Sequence, residues 1–245
     1  MRKLLLLTIA FFFAFSVSAQ IIGVKTGFTK SGYKINFETP DGANMGEGFH
    51  LGVFAERPIK ENMNLRLSLT YNQLGSEKYL EGEQSLSNGM TFSGTTDMKN
   101  EFNYIQLSLT PKFKLGNAAY AFIGPYLGYA VSATYSGTIT TDDGTVLMEA
   151  DGIDLFGDVA EKGMDDYYNK FDFGGNLGLG MNLKNGFFAE LSLGMGFLNV
   201  INTDSALYSM AAQKDPDTGE PMTEDLSQRN MFIGFSIGHI FKIKK

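Results

Sequence analysis

His50 and His239 are the only histidines in a chain of 245 residues that has no cysteine. A Ser-His-Asp hydrolase needs a histidine, an orienting carboxylate and a nucleophile within hydrogen-bond reach of one another. Neither histidine has such company nearby in the chain. His239 is followed by Ile240 and Phe241, with no hydroxyl at the alternate position, and both positions two residues from His50 are glycine. The expectation is a protein that is not an enzyme, whose histidines line an interior or a membrane interface. The same shortage of ligands argues against zinc, so neither a metal nor another cofactor is expected. The missing cysteine also excludes a disulfide framework, a thiol enzyme and an acylated-cysteine lipid anchor.

A second chemistry is ionic. Lys25, Glu56, Arg66, Lys112, Asp172 and Glu190 fall on the polar side of stretches that alternate polar and apolar residues. Three are positive and three negative. Charges facing a low-dielectric interior must pair or be hydrogen-bonded, because an isolated buried ion is costly. Inside an eight-stranded barrel, just wide enough to be filled by side chains, this balanced lumen cluster predicts a plug of salt bridges. A path for protons or small ions is the alternative. Phe122 and Tyr126, on the inward parity, would fill the same space.

The remaining acid is concentrated between those stretches. Segment 136–169 carries Asp142, Asp143, Glu149, Asp151, Asp154, Asp158, Glu161, Asp165 and Asp166 against Lys162 alone. Segment 200–229 carries six acids against Lys214 and Arg229. Within it, Asp215-Pro216-Asp217-Thr218-Gly219-Glu220 faintly resembles a calcium loop, but its glycine falls one place early for the EF-hand spacing. The simpler reading is a solvated acidic surface. Tyr167 and Tyr168, close to Phe171, read as part of an interfacial aromatic girdle. The net charge of −7 argues against nucleic acid as a partner, since phosphate binding needs a basic face.

The elements that must position these residues are strands. Period-two alternation marks eight stretches, near 21–29, 48–58, 63–74, 102–114, 119–135, 170–183, 187–199 and 230–243. In 63–74, Leu65, Leu67, Leu69 and Tyr71 take one face and Arg66, Ser68, Thr70 and Asn72 the other. Long connections (30–47, 75–101, 136–169, 200–229) alternate with short ones (59–62, 115–118, 184–186). The last short one holds Asn185-Gly186, a pair that accepts positive φ in a tight hairpin. An even strand number, with tight turns at one end and long loops at the other, predicts an all-β, eight-stranded antiparallel up-and-down transmembrane β-barrel. A soluble barrel would alternate equally well, but with its apolar face inward. The glycine-rich polar face and the strand length favour the membrane.

Arg2 and Lys3, the apolar run from Leu4 to Phe15 and the small residues Ser16-Val17-Ser18-Ala19 form the pattern of a secretory signal peptide. The apolar run is too short to span a bilayer as a helix. The expected organisation is a signal peptide at 1–19 and one barrel domain at 20–245, located in the cell outer membrane.

With these segments placed, the chain resembles the PorT-like outer-membrane β-barrel family of the Bacteroidota. The resemblance is carried by the ordered set GFHLGVFAE (48–56), LSLTYNQLG (67–75), YIQLSLTPKF (104–113), GPYLGYAVSA (124–133), KFDFGGNLGLG (170–180) and GMGFLNVIN (194–202). Where that family often offers lumenal glutamates, this chain has Ser68 and Gln106. The segment Ser236 to Ile243 also resembles the C-terminal signal read by the barrel-assembly machinery. The resemblance implies outer-membrane lipid and that machinery as partners, with extracellular or secretion partners as further candidates. Three functions follow as expectations: envelope structure or surface interaction through acidic extracellular loops; an accessory role in protein secretion; or a narrow channel.

Overall fold

The structure, a computed structural model, describes residues 21–35, 43–85, 91–156, 168–202 and 228–242. The expected signal peptide lies outside the described residues. Nine strands are described: β1 Ile21–Ile35, β2 Ala43–Lys60, β3 Met63–Ser85, β4 Thr91–Leu115, β5 Ala119–Thr141, β6 Val146–Asp154, β7 Phe171–Asn182, β8 Phe187–Gly196 and β9 Gln228–Lys242. All pairings are antiparallel. β1 to β5, then β7, β8 and β9, pair with their neighbours in chain order, and β9 pairs with β1 to close a ring of eight. β6 pairs with β5 alone among the described strands, as a hairpin above the ring.

Side-chain direction separates a membrane barrel from a soluble one. Phe28, Leu51, Ile123, Leu127, Leu179 and Ile237 point outward and are each more than half exposed. The alternate residues, among them Ser68, Thr70, Gln106, Ser108 and Thr110, are buried inside. A continuous apolar belt of this kind is what a bilayer requires of a barrel wall. The shortest ring strands, β7 and β8, have 12 and 10 residues. At ~3.3 Å per residue and ~40° tilt they stand roughly 25–30 Å tall, the height of the apolar band.

The barrel is narrow enough that bulky inward side chains need empty space opposite them. Six inward aromatics sit directly across the ladder from glycine: Phe54 on Gly23, Tyr120 on Gly180, Phe122 on Gly178, Tyr126 on Gly174, Phe188 on Gly238 and Phe232 on Gly194. A Cβ at any of these glycines would collide with the facing ring. Ring and missing side chain fill one slot, the arrangement by which aromatics shield glycine in sheets.

Several expected boundaries change. Residues 75–85, 91–101 and 136–141 continue β3, β4 and β5 instead of looping, and 146–154 add β6. The β3–β4 ladder runs unbroken from Met63↔Phe113 to Ser85↔Thr91. Apolar alternation disappears above the belt because most side chains there meet water, Ser76 and Thr96 being exceptions, while backbone pairing continues regardless. β1 and β2 likewise extend into the 30–47 connection, and β8 stops at Gly196, short of 199. At the other end, Asn185 (φ 58°) and Gly186 (φ 83°) both take the left-handed region in the β7–β8 turn.

Candidate functional site: a filled lumen beneath an acidic blade

The lumen is built in three levels. At the short-turn end, Arg66 of β3 donates from Nε to Glu56 Oε1 at 2.7 Å and from Nη1 to Glu190 Oε1. Lys112 Nζ donates to Glu56 Oε1 at 3.1 Å, and Asn64 Nδ2 to Glu56 Oε2 at 3.0 Å. Tyr120 OH donates to Glu190 Oε1 at 2.8 Å. The register explains half of this: Glu56 and Arg66 are opposite one another on β2 and β3, and Lys112 is opposite Asn64. Glu190 arrives from β8, across the closed ring. The guanidinium lies over Phe54, 4.4 Å from the ring centroid, and Lys112 Nζ stands 3.8 Å from that of Tyr120. Arg66 and Glu56 are almost wholly buried, at 2% and 1% exposure. Pairs so enclosed are weakly screened, and their attraction offsets desolvation through the hydrogen bonds that accompany it, although Arg66 Nη2 is buried without a partner.

The middle level is neutral and polar apart from Lys25. The His50 ring bonds Thr29 Oγ1 through Nδ1 at 2.9 Å and Ser236 Oγ through Nε2 at 2.7 Å. Asn72 Nδ2 donates to Gln106 Oε1. Between these groups lies a chamber of about 30 Å³, lined also by Lys25, Thr70, Ser108, Asn176 and Ser192.

At the upper level Asp172 Oδ2 accepts from Tyr126 OH and Asn230 Nδ2, both at 3.0 Å, and Asn230 Nδ2 also reaches Tyr104 OH at 3.1 Å. An apolar cap closes over them. Leu74, Phe102, Ala130, Ala133, Phe156 and Phe232 are buried there, with Leu155 and Tyr168 packed against them. Tyr168 stands edge-on to Phe102 at 5.0 Å. It therefore covers the barrel mouth instead of joining a lipid-facing girdle, because its bridge to Ile201 holds it over the opening. Tyr167 lies outside the described residues.

The six charges expected to form one plug thus divide. Glu56, Arg66, Lys112 and Glu190 meet; Lys25 sits at the chamber above them; Asp172 stands apart at the other end. Parity sets which face a residue takes but not its height, and Asp172 lies level with Gly128 of β5, far along the strand from the short turns. Sequence reading missed His50's hydroxyl partners, which lie 21 and 186 positions away. It also missed Asn64, Tyr120 and Asn230, whose inward parity was the available signal. His239 faces outward between Phe187 and Phe241, its Nε2 3.0 Å from the Asn185 carbonyl oxygen.

Above the ring, the extended β3–β4 hairpin and the β5–β6 hairpin form one blade on a single wall. It carries a cleft of about 400 Å³ lined by Glu77, Asp97, Glu149, Asp151, Lys99 and the small residues of 136–138. At the blade's 142–145 turn, Thr141 Oγ1 and the Thr145 amide donate to Asp143, holding its carboxyl below the ordinary range. The candidate calcium loop 215–220 lies outside the described residues.

The family described as "Outer membrane protein beta-barrel domain" matches residues 18–202. No curated protein matches the chain in sequence. Among solved structures it is similar to Neisserial surface protein A (11% identity, TM-score 0.43), covering 90% of this chain and 97% of that one. It is similar to Ail of Yersinia pestis (11% identity, TM-score 0.39), covering 91% and 99%. It is also similar to OprG of Pseudomonas aeruginosa (10% identity, TM-score 0.41), covering 92% and 98%.

Proposed function

Because the chain belongs to the outer membrane protein β-barrel domain family, and so resides in the outer membrane, we propose that its barrel is a closed, non-enzymatic anchor for surface interaction. The blade carries the interaction. The observation behind this reading is the asymmetry of the wall: β3, β4 and β5 have 23, 25 and 23 residues, against 12 and 10 for β7 and β8. The ladder above the bilayer bears an acidic cleft, while the lumen beneath is filled by ion pairs, hydrogen bonds and an apolar cap. The blade fits a partner with a basic or cation-bridged polar surface. Outer-membrane lipid surrounds the belt, and the barrel-assembly machinery is the expected partner during insertion.

Absence of catalysis is supported by the histidines. Both nitrogens of His50 are taken by hydroxyls, and no carboxylate orients its ring. A channel role fits poorly with Arg66 bridging Glu56 and Glu190 across the lumen. In a planar bilayer the purified protein should pass no ions, and reproducible single-channel steps would overturn the closed lumen. The PorT-like resemblance offers an accessory role in secretion, which would use the same blade and appear as co-purifying secretion components.

Orientation is the decisive test. Export leaves the amino terminus in the periplasm, and eight ring strands return the carboxy terminus to the same side, so the blade faces outward. With no native cysteine, Asp143→Cys should react with an impermeant maleimide on intact cells, while Asn62→Cys and Asn117→Cys should not. Labelling of the short turns alone would invert the topology and remove the surface role.

A further inference from the structure

Floor and chamber taken together are not electrically balanced. Lys25, Arg66 and Lys112 stand against Glu56 and Glu190, which leaves one positive charge in excess. Asp172 does not correct this, since its hydrogen bonds come from Tyr126 and Asn230 and no cation lies within 4 Å of it among the described residues. Both glutamates are already engaged by Arg66, and Glu56 by Lys112 too. Among the described residues no carboxylate lies within 4 Å of Lys25. Its side chain instead lines the chamber. An ammonium in the lumen that meets Glu190 only beyond ion-pair distance, while Arg66 holds that carboxylate, is poorly compensated, and a nearby anion reduces the cost.

The chamber is built to supply one. Its wall offers the Thr70 hydroxyl, which can turn its hydrogen toward an acceptor, and one of Thr29 and Ser236, since a neutral His50 ring takes a hydrogen from only one of the two; Ser192 donates instead to the Gly234 carbonyl oxygen. Asn176 also lines it, and its Oδ1 is buried without a partner. Turned over, that amide presents its NH₂ to the chamber, an assignment set by the hydrogen-bond network and not by the atoms' positions. The space open to the centre of a water-sized sphere, about 30 Å³, exceeds the roughly 10–15 Å³ that one water needs by that measure. That is room enough for an ion of halide size. We propose that this chamber is a binding site for a single small monovalent anion, of chloride size, held by the Lys25 ammonium and the surrounding hydroxyls. The excess charge of the lower lumen is thereby neutralised, and the interior gains an ionic keystone between floor and cap.

The test uses the full-length folded protein in detergent micelles with bromide as the probe. Bromide-81 NMR should show excess line broadening that saturates with bromide concentration. The thermal midpoint should rise in bromide or chloride relative to gluconate, which is too large to enter, at equal ionic strength. Lys25→Gln should abolish both the broadening and the halide dependence, and Lys25→Arg should keep them. Should Lys25→Gln fail to fold, the wild-type measurements decide alone. Wild-type stability equal in halide and gluconate, with no saturable broadening, would mean that the chamber holds only water and would overturn the site. Halide effects that persist unchanged in folded Lys25→Gln would do the same, by assigning them to surface cations.

Discussion

Arg66 at the floor of the lumen and Lys30 near the outer end of β1 each pair with a glutamate, in opposite surroundings. Arg66, with Glu56 and Glu190, is closed off from water on every side. Lys30 reaches Glu47 at 3.2 Å with side chains 63% and 78% exposed. Both pairs join facing strands, and in both the charges are complete. Water makes the difference. In the lumen the partners cannot exchange one another for solvent, so removing one strands the other in a low dielectric. On the surface, water and salt replace either partner at little cost. The same contrast separates the barrel body from the blade: the body is held by what it encloses, whereas the blade is a backbone ladder that buries few side chains, Thr96 and Ile139 among them.

The sharpest way to break this comparison is Arg66→Met. It leaves Glu190 without its cation and Glu56 with Lys112 alone, and should destabilise the folded barrel by about 3–5 kcal/mol. The readout is the urea midpoint, followed by the mobility shift between unheated and boiled samples on a gel. A loss below about 1 kcal/mol would place the floor in the same class as the surface pair. Gly178→Val comes next. Its side chain would enter the slot occupied by the Phe122 ring, and overpacking should cost about 1–3 kcal/mol in the same assay. Val at exposed Gly144 also strains the backbone, since φ there is 86°, so Thr145→Val is the fair blade control and should leave the midpoint nearly unmoved.

A double-mutant cycle on Lys30 and Glu47 should return a coupling of at most about 1 kcal/mol, shrinking with added salt. A larger, salt-insensitive coupling would show that the outer end of β1 and β2 is shielded. Replacing the tip of the β3–β4 hairpin, residues 78–98, by a two-residue Asn-Gly turn should leave the heat-dependent gel shift intact and remove partner capture at the cell surface. The smallest effect is at Asp143. Its hydrogen bonds from Thr141 and Thr145 lower its carboxyl pKa, so the turn should stay ordered above the ordinary aspartate range, near 3.9. Order should be lost only as pH falls through the lowered value, read from the 141–145 amide signals in NMR. Melting of the turn at or above the ordinary range would remove the role of those bonds.

Much of the barrel was legible because a membrane wall imposes period two on its sequence. Leu65, Leu67 and Leu69 against Arg66, Ser68 and Thr70 announce a strand with one lipid face and one polar face. Asn185-Gly186 announces its turn by backbone chemistry alone. Where that constraint stops, so does the signal. Residues 75–85 and 91–101 read as loops because nothing above the bilayer requires alternate apolar side chains, although their backbones remain paired. The lumen was legible in kind but not in arrangement. Lys25, Glu56, Arg66, Lys112, Asp172 and Glu190 were recognisable as inward charges from parity, which is a local property.

What the chain determined by itself was therefore the number of strands in the ring, the faces and the types of residue enclosed, since each follows from neighbours one or two positions apart. The tertiary structure alone decided which enclosed groups meet. Ring closure carries Glu190 to Arg66 over 124 positions and Ser236 to His50 over 186. The stagger of the strands sets Asp172 above the chamber and Lys25 beside it. Height in the lumen is the sum of every register and turn around the ring, and no short stretch of sequence contains that sum.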